Sequence, residues 1–231
     1  MTDVLYLYAV VFADAEPPGP LGLGIGDEPL RLIPAGGLVA VASCLPGRPP
    51  ADVETLKRQD AVVRRLAGLF AAILPVRFGE SAADEAALIA RIAPRESELA
   101  AALELVRGCV QMTLRVFGEP DPTTEPEEPE PAKMGGPGAR YLEARRREQE
   151  RLRSLPEIGP LNAALRPLLR AERIERHAAG PLLGTAYHLV PREGTAAYLA
   201  AVDEARGRIG GRRIAATGPW PPYAFAPEGT P

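Results

Sequence analysis

The stretch CVQMTLRVFGEPDPTTEPEEPEPAKMGGP, residues 109–137, changes character at Gly118. Up to Phe117, apolar and polar residues alternate. Val110, Met112, Leu114 and Val116 fall on one side and Gln111, Thr113 and Arg115 on the other, which is the period of a β-strand. The alternation predicts one covered face and one that is at least partly wet. From Glu119 onward proline and glutamate recur without an apolar period, so charge repulsion and polyproline geometry predict an extended, mobile linker over 119–137. The chain is expected to divide there into an N-terminal domain over 1–118 and a C-terminal domain over 138–231.

Upstream of that strand, Leu5 to Phe12 form a continuous apolar run of strand length, as in a central strand covered on both faces. The segment LRLIPAGGLVAVAS reads as two short strands broken at Pro34 to Gly37. Between Ala51 and Ile73 the period changes. Val62, Leu66, Leu69 and Ile73 recur at helical spacing behind a possible N-cap at Asp52. LPVRFG, from Leu74, is expected to be a short strand. A second helical region over 83–106 is interrupted at Pro94, which suits the first position of a new helix, and Gly108 ends it.

Downstream of the linker, ARYLEARRREQERLRSL and LNAALRPLLRAERIERHA read as helices, the latter kinked or restarted at Pro167. The strand GTAYHLVP, a helix from Thr195 to about Ile209 and a last extended segment from Arg213 follow. Both halves mix helices with few strands over short connections, which predicts an α+β protein of two domains with helices on one sheet face.

The 231 residues are 46% hydrophobic with a net charge of −3, enough for two ordinary cores and without a broad positive field for nucleic acid or anionic lipid. TDVLYLYAVVF after Met1 lacks a basic flank and is too short to span a bilayer, so a cytoplasmic location is expected. Cys44 and Cys109 read as buried, reduced thiols. His177 and His188 have no ligand-type neighbour at metal spacing. GLGIGDE places Asp27 where a dinucleotide-binding loop needs its third glycine, which leaves plain turn chemistry. No catalytic, cofactor or metal constellation is read. Arginines concentrate in RYLEARRREQERLR, but interleaved glutamates make a solvated helix face the simpler reading.

Several segments in order, LYLYAVV, ILPVRFGE (73–80), RGCVQMTLRVFG (107–118), GARYLEARRRE (138–148), TAYHLVPRE (185–193) and ATGPWPPYAFA (216–226), resemble the gas vesicle protein GvpF/GvpL family. The resemblance implies two modified ferredoxin-like domains, the second preceded by extra α-helices. It implies a non-enzymatic accessory role in gas vesicle formation, with the small hydrophobic shell protein and other gas vesicle accessory proteins as partners. The location it implies is the cytoplasm, in association with the gas vesicle. A competing reading is a ligand-sensing protein of paired ferredoxin-like domains, which needs a pocket.

Candidate partner contacts are Arg77 and Phe78 in LPVRFG, Gln111, Thr113 and Arg115 on the wet strand face, Tyr141 and Arg145 in the arginine-rich helix, and Trp220 and Tyr223 near the end. Arg77 either pairs with a buried carboxylate or reaches a partner. The terminal GPWPPYAFAPEGTP holds the single tryptophan among prolines that stiffen it. It reads as a clamp on the second domain's own core or as a docking surface.

Overall fold

Seven consecutive residues, Leu5 to Val11, are buried in the computed structural model, so strand β1 (Val4–Phe12) is covered whichever way its side chains point. The structure describes residues 3–118, 155, 158–177, 180–208 and 212–230. The expected linker and arginine-rich helix lie outside them, as do Tyr141 and Arg145. The chain forms two compact units, Met1–Gln111 with Pro219–Pro231, and Met112–Gly218. The last residues thus group with the first unit.

In the first unit, β2 (Arg31–Ala35), β3 (Leu38–Leu45), β1 and β4 (Leu74–Pro75) form an antiparallel sheet in that order, and β5 (Ser81–Ala82) also pairs with β1. Pro34 lies inside β2, and the break falls at Gly36, whose φ of +69° makes the turn. Helix α1 (Val53–Leu69) starts as expected at Asp52, whose carboxylate accepts from Thr55 N at 2.8 Å. Its apolar stripe, Val62, Val63 and Leu66, packs on Tyr6, Tyr8 and Val11. Each such buried aliphatic contributes about 1.5–3 kcal/mol.

The helix stops short of Ile73 because Phe70 turns extended, at φ −106° and ψ 138°. Helices α2 (Glu85–Ile92) and α3 (Glu96–Val106) flank the 3₁₀ turn Ala93–Arg95 that contains Pro94. Gly108, at φ +69°, follows the last of them. Helices α1 and α3 both pack on β1. With both faces of β1 covered, helices on one face only is corrected for this unit. Cys44 is exposed, against expectation, at the end of a strand otherwise buried on both sides.

The strand β6 (Cys109–Phe117) enters the second unit at Met112. Its sheet runs β7 (Ala171–Arg176), β8 (Leu182–Pro191), β6, β9 (Arg213–Trp220). Helices α4 (Gly159–Leu165) and α5 (Thr195–Ala205) supply Leu161, Leu165, Tyr198 and Val202 to a core with Met112, Leu114 and Val116. AERIER, expected as helix, is the strand β7. A 3₁₀ turn at Arg166–Leu168 ends the helical run, Leu169 is extended, and six register pairs with β8 outweigh the helix propensity of Glu and Arg. Both units together make an α+β protein.

Candidate functional site

The turn after β4 is built from the motif outward. Pro75 has no donor, and the pairing with β1 ends in a bond from Val76 N to Tyr8 O at 2.9 Å. Gln59 of α1 then reaches across. Its Nε2 donates to Val76 O at 3.2 Å, and its Oε1 accepts from the buried Tyr6 hydroxyl. Tyr6 OH accepts in turn from Gly79 N at 3.0 Å. Burial pushes the Tyr6 hydroxyl pKa up, so it stays protonated and able to donate. Gly79 sits at φ +88° in a turn closed from Glu80 N to Arg77 O at 3.4 Å, a backbone that glycine adopts without strain. Glu80 pairs with Arg91 at 2.7 Å.

This scaffold presents two side chains. Phe78 is half-buried, its ring edge-on to Tyr6 at 6.3 Å between centroids. Arg77 is exposed, and its guanidinium makes no ion pair among the described residues. The buried carboxylate partner considered for it is therefore corrected. The strand ends at Pro75, so Arg77 projects from a turn rather than into a core.

The end of the chain is the second element. Beyond Trp220, a 3₁₀ turn (Tyr223–Phe225) lies against the first unit. Ala224 N donates to Gln111 Oε1 at 2.7 Å, and Tyr223 OH donates to Asp60 Oδ1 at 3.2 Å. Arg64 lies over the Trp220 ring. Arg95 donates to the carbonyls of Glu228 and Gly229. Phe225 is buried, Trp220 half-buried and Tyr223 exposed at the edge. Burial raises the Tyr223 pKa, and the Asp60 charge adds to it. The expected clamp exists, but its seat is α1 and not the second unit's core.

The wet face expected on β6 is covered at two of three positions. Gln111 is buried with Ala224 on its amide, and Thr113 is buried with its carbonyl accepting from Thr217 Oγ1 at 3.5 Å. Arg115 alone of the three is exposed.

The glycine loop turns out to be a packing device. Glu28 accepts from Tyr8 OH at 3.0 Å and Ser43 Oγ at 2.5 Å, and Tyr8 OH accepts from Ile25 N. A Cβ on Gly24 would meet Glu28 Oε1 at 2.0 Å, so only glycine lets the carboxylate in.

Reading residues singly missed the seats Asp60, Arg64 and Arg95, which look like solvated helix positions. It also missed a buried group in the second unit. His188 is 0% exposed, with Nδ1 2.7 Å from Tyr198 OH and Nε2 2.9 Å from Glu172 Oε1. The bond from His188 holds the Glu172 carboxyl below its ordinary pKa, and the charge of Arg166 acts the same way. Only the register that sets Glu172 opposite His188 makes the pair visible. Among the described residues no His, Cys, Asp and Glu side chains gather into a metal-binding group, and no helix is long and apolar enough to cross a membrane.

The model of the gas vesicle synthesis protein GvpL/GvpF family matches residues 4–227. Gas vesicle protein L2 of Halobacterium salinarum is 28% identical, over 99% of this chain and 93% of that protein. Gas vesicle protein L of a Streptomyces species is 31% identical, over 97% and 94%. The fold matches crystal structures of the gas vesicle protein GvpF from Anabaena sp. PCC7120 and Microcystis aeruginosa. Both give a TM-score of 0.72 over 97% of this chain, covering 96% and 99% of those chains, at 17% and 20% identity.

Proposed function

The chain belongs to the GvpL/GvpF family of gas vesicle synthesis proteins, and on that premise we propose that it is a non-enzymatic accessory protein that binds the hydrophobic shell protein during gas vesicle assembly. A shell subunit made to face gas exposes an apolar surface before it is built in, and such a surface aggregates unless something holds it. A holder needs a rigid surface that offers apolar and polar groups together.

The turn at 77–80 is the observation that carries this reading. Phe78 offers a half-exposed ring and Arg77 a cation with no ion pair among the described residues. The Tyr6 and Gln59 bonds fix both in place, so docking there orders little that is loose. Trp220 and Tyr223 add aromatic edge on the same unit, and Arg115 is a further contact on the second unit.

In this account both units are modified ferredoxin-like domains, 119–137 is a linker that follows β6 within the second unit, and Tyr141 and Arg145 extend the contact. Other gas vesicle accessory proteins are secondary partners, and the work is done in the cytoplasm at the growing vesicle. The test is co-expression of the affinity-tagged chain with a gas vesicle shell protein, followed by mass spectrometry of the purified complex. Shell protein is expected in the eluate. A folded chain that elutes without it contradicts the proposal.

A further inference from the structure

Along one side of β1 the backbone bonding stops at Val76 and resumes at Glu80. Val76 N donates to Tyr8 O at 2.9 Å, and Leu7 N donates to Glu80 O at 3.1 Å. Residues 77–79 stand off from β1 between those bonds, and other groups satisfy part of the backbone there. Gln59 Nε2 donates to Val76 O, Gly79 N to the Tyr6 hydroxyl, and Glu80 N to Arg77 O.

The rest of the turn's backbone is open. Among the described residues, the N–H groups of Arg77 and Phe78 have no acceptor, and the carbonyls of Phe78 and Gly79 have no donor. The same stretch supplies an exposed guanidinium at Arg77 and a half-buried ring at Phe78. Glu80 is paired with Arg91 at 2.7 Å, so Arg77 carries the turn's net charge.

These groups select a ligand by what they leave unmet. A cation meets the repulsion of Arg77. A nucleic acid is held by many cations in a row, and the turn has one. A free inorganic anion would use the guanidinium and the N–H groups but leave the two carbonyls and the ring without partners. A carboxylate carried on a peptide meets the whole set, since the peptide brings its own N–H groups and a neighbouring apolar side chain.

Resting on the docking reading above, we propose that the turn recognises an aspartate or glutamate side chain of the shell protein. The carboxylate is held by the Arg77 guanidinium and the open N–H groups, and an apolar neighbour of that residue lies on Phe78. A guanidinium suits a carboxylate because it offers paired N–H donors in one plane. The Tyr6 and Gln59 bonds hold the turn in place beforehand, which lowers the cost of ordering it on binding.

The test is pull-down of a gas vesicle shell protein by the affinity-tagged full chain, together with shell variants in which each Asp and Glu is replaced in turn by Arg. Arg77→Glu is expected to cut capture of the unaltered shell protein about tenfold at unchanged melting temperature. One shell variant is expected to be lost by the wild type to the same degree and recovered by Arg77→Glu. Arg77→Lys keeps the charge without the planar fork, and its capture should fall between the two. If Arg77→Glu captures as much as the wild type, or if no shell charge reversal restores its capture, the carboxylate assignment is overturned while shell-protein binding stands. If the wild type captures no shell protein, the docking reading fails and the assignment with it.

Discussion

The guanidinium of Arg64 lies 4.1 Å from the centre of the Trp220 ring while its Nε holds Asp60 Oδ2 at 2.6 Å. Asp60 also accepts from Tyr223, so one turn of α1 seats both terminal aromatics. The ion pair alone is worth little, about 0–1 kcal/mol, since both side chains are well exposed. Its effect is to fix a cation over an indole, which is worth about 0.5–1 kcal/mol at such a site.

Trp220→Ala is therefore expected to cost about 2 kcal/mol, below the 3–5 kcal/mol or so of a fully buried aromatic. Arg64→Ala should cost less, and the double variant should show a coupling of about 0.5–1 kcal/mol in urea melts. Trp220 is the only tryptophan, so emission reports the seat directly. Partial quenching by acrylamide is expected, and fuller quenching in Arg64→Ala.

Gln111→Leu separates a structural role from a partner contact. The substitution leaves the Ala224 N–H without its acceptor, which costs about 1–3 kcal/mol when the group is buried. A lowered melting temperature with greater protease sensitivity of the last residues is expected. Unchanged stability would return Gln111 to the partner-contact group.

Gln59→Leu removes the two bonds that tie α1 to Tyr6 and to Val76. About 1–3 kcal/mol of stability should be lost, and amide exchange at Gly79 should speed up, because its acceptor Tyr6 is no longer held. Equal exchange in both proteins would mean that the turn orders itself.

Glu172 gives a pH dependence of defined sign. Its pKa is lowered in the folded state, chiefly by the bond from His188. The unfolded chain therefore binds this proton more readily, and stability rises with pH across the window. The contribution is fully present above the ordinary Glu pKa of about 4.3 and is lost as pH falls through the lowered value. The stability gap between the wild type and Glu172→Gln should be widest at neutral pH and narrow on acidification. A gap independent of pH would contradict the assignment.

Local patterns carried much of the fold into the sequence. The apolar run of β1, the Asp52 cap, the alternation of β6 and the breaks at Pro94 and Gly108 each follow from one residue's backbone preference or from a period. What could not be read depends on partners distant in the chain. Gln111 looks wet because nothing local says that residue 224 will cover it. AERIER looks helical until β8 supplies its register, and His188 looks solitary until the same register brings Glu172 beside it. Arg77 looks like part of a strand because nothing local to the motif shows that the bonding to β1 stops at Val76.

The central claim is that the turn bearing Arg77 and Phe78 contacts the shell protein. Pull-down of a gas vesicle shell protein by the wild type and by Arg77→Ala, with melting temperatures measured on the same preparations, tests it most directly. An exposed arginine with no ion pair among the described residues should leave stability within about 0.5 kcal/mol when removed. The account predicts an unchanged melting temperature and a clear loss of captured shell protein. Capture equal to that of the wild type would contradict it.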